Sequence, residues 1–322
     1  MNTTRRTGIL LAVVTAAVSG VSVFVNAYGV KAFDDATVYT TAKNIVAAGV
    51  LAGLVGLGRR AGARVALPRG SRQRLALAVI GIVGGSLPFV LFFEGLSRAS
   101  SPQAAFIHKT LVLWVALLAL PLLGEKLQWG HWVAIGLLVV GQVGLAGGLP
   151  REFGTAGWML LTATLLWSVE VVVAKWLLAE VSSWTVGLAR MVLGSAALVV
   201  WLAVRGQLAT LGSLTPEQLG WALVTGALLA GYVATWFAAL ARAQAVDVTA
   251  VLVLAAPVTA TLNAAVTGTA LSPQASWLAL LLVGGLGAVW LGWRGAPEPA
   301  IDGGPAGPTG PAVGGGPSGL VR

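Results

Sequence analysis

Cysteine is absent from this 322-residue chain, and histidine occurs only twice. The lack of cysteine excludes disulfides, cysteine-ligated metal and thiol catalysis. Charge is scarce as well, since Asp, Glu, Lys and Arg make up 10% of the residues, against about a quarter in soluble proteins. The sequence also contains no DxxD and no HExxH motif. We therefore expect no enzyme activity, no metal site and no cofactor.

Apolar residues are abundant, at 57% of the chain, and the mean hydropathy is +0.86. A membrane span needs about 20 mainly apolar residues, and the sequence contains about ten such runs. These features predict an all-α polytopic membrane protein. The first run lacks a clear cleavage site for a signal peptidase, so it is interpreted as a retained span. The predicted spans are Gly8–Tyr28, Ala36–Gly58, Leu75–Leu96, Gln103–Leu123, Trp129–Leu149, Gly154–Leu178, Trp184–Val204, Leu219–Leu240, Val248–Gly268 and Ser276–Trp293.

The second half of the chain repeats the first. An offset of 144 carries Arg98 to Arg242 and Gly124 to Gly268. Five spans per copy is an odd number, so the second copy enters the membrane from the opposite side and the repeats are inverted. The predicted units are a first repeat at 1–149, a second repeat at 150–294 and a disordered cytoplasmic tail at 295–322.

The formal net charge of +9 has a local origin and does not indicate nucleic acid. An excess of Lys and Arg in one loop is typical of the inner side of a membrane protein, although a lipid-headgroup or partner site is the alternative. We therefore predict a plasma-membrane protein with both termini in the cytoplasm. The six arginines of this loop are Arg59, Arg60, Arg64, Arg69, Arg72 and Arg74.

Ionisable residues inside the predicted spans are the candidate functional groups. Each costs about 2.5 to 3.5 kcal/mol near the membrane centre on insertion scales, or roughly 12 to 18 kcal/mol for all five. They are therefore expected to face the interior of the bundle or water. The five are Lys43, Glu94, Lys109, Glu170 and Arg190.

Lys109 and His108 lie in the fourth predicted span beside a strip of small residues. Such a strip suits a cavity floor or close helix packing. Lys109 is predicted to contact substrate, with pairing to a carboxylate as the alternative. For His108 the alternative is a hydrogen bond to a carbonyl group, and for Trp167 it is simple packing.

Glu94 precedes Arg98 by four residues, the spacing of an ion pair on one helix. The alternative for Glu94 is a site for proton coupling or for a substrate amine, and Glu170 is a candidate for proton coupling, because desolvation raises the pKa of a carboxylate. With an offset of 147, Lys43 corresponds to Arg190. Both are predicted to line the substrate site, and the alternative is a tie to Glu94 or Glu170.

The intramembrane set contains three cations, Lys43, Lys109 and Arg190, but only two carboxylates. A buried positive charge without a partner is unfavourable unless an anion arrives. This excess favours a substrate that carries a carboxylate or a phosphate.

The corner LLGEKL at 122–127 and the glycines of the fifth span, Gly136, Gly141 and Gly144, resemble the EamA branch of the drug/metabolite transporter superfamily. The resemblance covers the chain up to Trp293. It implies two inverted five-helix repeats around a central cavity, alternating access and no nucleotide. The sequence differs from the common pattern at Thr269, where a glutamate often follows the glycine.

The sequence therefore predicts a secondary transporter for small metabolites that works as an exporter. The alternatives are a multidrug efflux carrier and a lipid translocase. The expected partners are a small-molecule substrate and the lipid bilayer, without nucleic acid. Proton coupling and the choice between monomer and homodimer are left open.

Overall fold

The computed structural model describes residues 3–60, 66–96, 98–99, 101–145, 147–148, 153–268, 270–271 and 274–294. The predicted tail at 295–322, Arg64 and Thr269 lie outside these residues. Within them the chain is helical and contains no strand. The helices are α1 (Thr3–Gly29), α2 (Ala36–Arg60), α3 (Ser71–Val79), α4 (Leu87–Leu96), α5 (Ser101–Lys109), α6 (Leu111–Leu123), α7 (Trp129–Leu145), α8 (Gly154–Leu177), α9 (Ser183–Val204), α10 (Leu208–Gly212), α11 (Pro216–Leu240), α12 (Ala245–Leu252), α13 (Ala255–Thr267) and α14 (Ala275–Arg294).

The ten predicted spans correspond to these helices, and this confirms the all-α membrane fold. Among the described residues, nine helical segments are long and apolar enough to cross a membrane, and α7 is a shorter apolar helix. Three spans are built from two helices each: α3 and α4 with a π turn between them, α5 with α6, and α12 with α13. The short α10 connects the seventh and eighth spans.

Helix packing follows the repeat. The first span, α1, packs on α11 of the eighth span, and its counterpart α8 packs on α4 of the third span. Likewise α2 packs on α11, while its counterpart α9 packs on the π turn of the third span. The two last spans, α7 and α14, pack on each other. Exchanging the repeats therefore returns the same set of neighbours, as two related five-span units require.

Contacts between helix ends define the two faces of the bundle. At the N-terminal face, where α1 begins, the Arg5 Nε donates to the Gly292 carbonyl oxygen at the end of α14, at 2.8 Å. At the opposite face, the Gln207 side chain after α9 reaches Asp35 before α2, at 3.1 Å. The first contact shows that the first and tenth spans run in opposite directions, and the second shows the same for the second and seventh spans.

Asp35 fastens the connection between α1 and α2 at the opposite face. Its carboxylate accepts the backbone N–H groups of Thr37 and Val38, at 2.6 and 3.2 Å, and so caps α2. The Arg205 Nη1 lies 3.4 Å from the Asp35 Oδ2. Burial alone would raise the pKa of Asp35, but hydrogen bonds from Gln207, Thr37 and Val38 and the charge of Arg205 outweigh it. The net result is a pKa below the usual value of 3.8.

We expect Asp35→Ala to lower the free energy of unfolding by about 1 kcal/mol at neutral pH, because the helix cap is lost. Since folding lowers this pKa, the stabilisation is present above the unfolded-state pKa and is lost as the pH falls through the folded-state value. Unfolding in detergent followed from pH 7 to pH 3 measures it. Asp34→Ala, at an exposed neighbour, is the control. A difference between Asp35→Ala and wild type that stayed constant over this range would contradict the prediction.

Candidate functional site

Two interrupted spans meet in the middle of the bundle. The fourth span is interrupted at Thr110, and the ninth at Val253 and Leu254. The offset of 144 relates Thr110 to Leu254, and α6 packs on α12. Interrupted helices at corresponding positions of two repeats are typical of transporter binding sites, because they expose backbone and side-chain polar groups at the midplane.

The local sequence explains both interruptions. Pro257 has no N–H to donate to the carbonyl of Val253, and the turn closes instead through bonds three residues apart, such as Ala256 N–H to Val253 O at 3.0 Å. In the fourth span the Thr110 hydroxyl donates to the Ile107 carbonyl at 2.6 Å. A threonine bonded to its own helix backbone bends a helix.

Lys109 is the last residue of α5 and borders a small cavity between the two interruptions. The cavity volume is about 20 Å³, enough for about one water molecule. Among the described residues, the Lys109 ammonium has no hydrogen-bond or ion-pair partner. Its three donors are therefore available to a ligand. The residues around the cavity come from both repeats and are His108, Lys109, Leu111, Val112, Thr249, Leu252 and Val253.

Aromatic rings pack beside this lysine. The His108 ring lies 4.9 Å from the Trp167 ring and 5.4 Å from the Phe92 ring, both edge to face. Trp167 also contacts Phe89 at 5.3 Å. Within the described part of the chain, the buried His108 Nδ1 has no hydrogen-bond partner. The rings of His108 and Trp167 thus form an aromatic wall next to Lys109, and the His108 Nδ1 in this wall could still form a hydrogen bond.

Glu170 and Arg190 form a buried ion pair between the sixth and seventh spans. The Arg190 Nε lies 2.5 Å from Glu170 Oε1, and only 8% and 5% of the two side chains are exposed. Arg190 Nη2 also donates to the carbonyl oxygen of Gly84 at 3.1 Å, and Trp167 Nε1 donates to the same oxygen at 3.1 Å. This shared acceptor connects the ion pair to the aromatic wall.

The acceptor is supplied by a π turn at Ile80–Gly84 in the third span. Wider turns of this kind are often found at functional sites. Glycine is required here because a Cβ on Gly84 would overlap the Glu170 carboxylate. A Cβ on the next residue, Gly85, would lie 2.6 Å from the Arg190 carbonyl oxygen. The glycines therefore allow the third span to lie directly against the ion pair.

Lys43 lies toward the opposite face and has a different partner. Its Nζ donates to the Asn26 Oδ1 at 2.8 Å, and the Tyr39 hydroxyl donates to the same oxygen at 2.5 Å. The ammonium also lies 4.9 Å from the centre of the Tyr39 ring. Lys43 and Arg190 are thus each held by the preceding span, Lys43 by an amide and Arg190 by a carboxylate.

Glu94 is separate from this central group. It pairs with Arg98 at 2.9 Å, with 34% and 54% of the side chains exposed. This is the ion pair that the four-residue spacing suggests, with Arg98 just beyond the end of α4. The structure thus brings His108, Lys109, Trp167, Glu170 and Arg190 together and places Lys43 and Glu94 outside that cluster.

Sequence reasoning missed a buried ionic cluster at the N-terminal face. Arg5 Nη2 lies 2.7 Å from Asp247 Oδ2, and His131 Nε2 lies 3.1 Å from Asp247 Oδ1. The Asp247 side chain is fully buried. Arg5 and His131 belong to the first repeat and Asp247 to the second. The signal that could have revealed this cluster is Asp247, an aspartate at the start of an apolar run.

Two further charged side chains form hydrogen bonds to the backbone of the segment that connects α11 and α12. Glu125, in the LLGEKL corner, accepts the backbone N–H groups of Ala245 and Val246 at 2.5 and 3.2 Å. Lys175 donates to the Ala243 carbonyl at 2.9 Å. The charge count based on sequence omitted these residues. Among the described residues, four cations and three carboxylates are buried, and Lys109 adds a fifth cation within a span.

The fold and the central site together define a polytopic α-helical transporter built from two repeats. The family model described as the EamA-like transporter family matches residues 6–147 and again residues 155–292, and the chain belongs to this family. It is therefore a small-molecule membrane transporter.

Solved structures support the same fold. Twenty-eight chains match. One of them, described as "Crystal structure of protein", is 18% identical with a TM-score of 0.72, and the match covers 90% of this chain and 99% of that chain. At this identity the likeness concerns the fold alone. No curated protein matches the sequence.

Proposed function

We propose that this protein is a secondary transporter that exports small metabolites bearing a carboxylate or a phosphate. The observation that carries the proposal is Lys109, an ammonium without a partner among the described residues, placed where the interrupted spans of the two repeats meet. A charge-assisted hydrogen bond from lysine to an oxyanion is strong at a site with little water. The aromatic wall of His108 and Trp167 would contact the rest of the substrate.

The balance of charge supports an anionic substrate. In the described part of the chain, Arg5, Lys43 and Arg190 each have a polar partner that fixes the cation in place. Lys109 has no such partner among the described residues, and none of the described residues that border its cavity is a carboxylate. An anion would supply the missing partner and offset the desolvation of the ammonium group.

Transport by this site requires the helices around it to move. The cavity beside Lys109 holds about 20 Å³, far less than the roughly 300 Å³ or more that ligand pockets usually provide. We propose alternating access, in which the repeats at 1–149 and 150–294 rock about the interrupted spans. The ionic cluster of Arg5, Asp247 and His131 joins these two repeats and would close the bundle at the N-terminal face. We assign this face to the cytoplasmic side of the plasma membrane.

Transport into proteoliposomes tests the proposed function. The panel contains amino acids, organic anions and phosphorylated metabolites together with neutral and cationic drugs, each with and without a pH gradient. The expected result is transport confined to compounds with a carboxylate or phosphate. Movement of only neutral or cationic drugs would instead favour multidrug efflux, and movement of labelled lipid between leaflets would favour a translocase.

Breaking the N-terminal cluster is expected to shift the protein toward a state open at that face. Asp247→Asn replaces two charge-assisted hydrogen bonds, each contributing about 1.5 to 3 kcal/mol, by weaker neutral ones. We expect the open population to rise by about tenfold or more. The measurement is labelling of a single engineered cysteine, Val253→Cys, by an impermeant reagent, and the native chain contributes no background because it has no cysteine.

Asp34→Asn is the matched control for this experiment, since it removes one carboxylate at an exposed position near the opposite face. It should leave the labelling rate of Val253→Cys unchanged. An equal labelling rate in Asp247→Asn and in the control would contradict the proposal that the Arg5, Asp247 and His131 cluster keeps the N-terminal face closed.

A further inference from the structure

A second cavity lies at the N-terminal face, apart from Lys109. It is an open cleft of about 440 Å³ between the second, third and seventh spans. Among the described residues, its lining is apolar except for Thr185 and two arginines and includes no acidic residue. The lining residues are Val55, Arg59, Leu67, Pro68, Arg74, Leu77, Thr185, Leu188, Ala189, Val192 and Leu193.

The two arginines stand at the mouth of this cleft. Arg59 is in the last turn of α2, and Arg74 follows the start of α3 by three residues. Both are exposed, and neither guanidinium group has a hydrogen-bond or ion-pair partner within the part of the chain that the structure describes. Two guanidinium groups of this kind are suited to bind one phosphate, because their planar donors match its oxygens.

A hydrogen bond holds the segment at the edge of the cleft in place. The Thr185 hydroxyl donates to the Ala66 carbonyl oxygen at 2.8 Å, which holds the segment with Leu67 and Pro68 against the start of α9. Leu67 is nevertheless 52% exposed. An apolar side chain held at the mouth of an apolar cleft, between two unpaired arginines, suits a ligand with both a charged group and a hydrocarbon chain.

The cleft is deep enough for part of an acyl chain but does not reach the central site. Its α9 lining extends from Thr185 to Leu193, which is about 12 Å along a helix. Beyond Leu193, the backbones of Gly194 and Gly85 are in close contact, since a Cβ on Gly194 would lie 2.7 Å from the Gly85 oxygen. Within the described chain, the cleft and the cavity at Lys109 have no lining residue in common.

We propose that this cleft binds an anionic phospholipid from the leaflet at the N-terminal face. The phosphate group lies between Arg59 and Arg74, and one acyl chain follows Ala189 and Val192 along α9. The lipid is a bound component of the protein and not a transported substrate. This site therefore gives a specific role to two of the six loop arginines, for which the sequence predicts an orientation signal with a lipid-headgroup or partner site as the alternative.

The test measures binding of phosphatidylglycerol and of phosphatidylcholine to the purified, delipidated full chain by native mass spectrometry in detergent. Arg59→Gln/Arg74→Gln is compared with Arg60→Gln/Arg69→Gln, which removes the same charge from exposed positions of the same loop. Each arginine near an anionic lipid contributes about a fivefold increase in affinity. We expect about a 25-fold loss for the first double variant. For the second we expect less than about a twofold loss, because Arg60 and Arg69 are not among the lining residues of the cleft.

A third variant tests the acyl-chain contact with both arginines intact. Ala189→Trp fills the cleft and should weaken phosphatidylglycerol binding about tenfold. Glycerol 3-phosphate, which has no acyl chain, should show no detectable binding to the wild-type protein. Three results would each overturn the proposal: equal losses in the two double variants, equal affinity for phosphatidylcholine, or unchanged lipid binding in Ala189→Trp. If Arg59→Gln/Arg74→Gln failed to fold, lipid binding by Ala189→Trp would still test whether the cleft holds an acyl chain.

Discussion

Replacing Lys109 by glutamine is expected to reduce transport of an anionic substrate by about 10- to 150-fold. This range corresponds to the loss of one hydrogen bond to a charged group, about 1.5 to 3 kcal/mol. Glutamine keeps two N–H donors but has no charge, so it separates the role of the charge from that of hydrogen bonding. Initial rates in proteoliposomes at several substrate concentrations give the apparent affinity and the maximal rate separately.

The control for Lys109→Gln is Lys31→Gln, which removes an exposed ammonium at the opposite face and should leave transport unchanged. Lys109→Arg should retain part of the activity, because it keeps a cation at the same place. The thermal stability of Lys109→Gln should equal or exceed that of wild type, since no described protein group depends on this ammonium. Normal transport of anions by Lys109→Gln would remove Lys109 from the substrate site.

Arg190→Leu is expected to have the largest effect on stability, a loss of about 3 to 5 kcal/mol in the free energy of unfolding. The substitution leaves the Glu170 carboxylate, whose side chain is 5% exposed, without its cationic partner. It also removes a donor to the Gly84 carbonyl. Replacing both partners, as Glu170→Leu/Arg190→Leu, should recover most of the loss, because neither member of the pair is then left as an unpaired buried charge.

Thermal unfolding in detergent measures this effect, and Arg98→Leu provides the control. Arg98 pairs with Glu94 at a comparable distance of 2.9 Å, but the pair is largely exposed, so its loss should change stability by about 1 kcal/mol or less. Similar losses for Arg98→Leu and Arg190→Leu would contradict the argument that burial decides the effect.

Transport by Glu170→Gln addresses the proposed proton coupling. Protonation of Glu170 would neutralise its carboxylate and weaken its ion pair with Arg190, which would keep its hydrogen bond to the Gly84 carbonyl oxygen. If Glu170 is the coupling group, the glutamine variant should transport at a rate that no longer depends on the pH gradient. An unchanged dependence would leave Glu170 with the structural tie to Arg190 alone.

The spans and the repeats could be predicted from the sequence because their signals are local. Runs of apolar residues mark the spans regardless of how these pack, and the 144-residue offset relates Arg98 to Arg242 without any structure. The interruption in the ninth span is also local in origin, since Pro257 removes one backbone donor. The π turn of the third span was not predicted, because its stability depends on α8 and α9 beside it.

The sequence by itself determined that this chain is a membrane protein of two inverted repeats with a few ionisable residues inside. Only the tertiary structure decided their partners: Arg190 with Glu170, Lys43 with Asn26, and Arg5 with Asp247. One position along a helix turns a side chain by about 100°, so a partner on a distant span depends on how the spans are rotated. Hydrophobicity does not specify that rotation, whereas the packing of glycines such as Gly84 against the ion pair does.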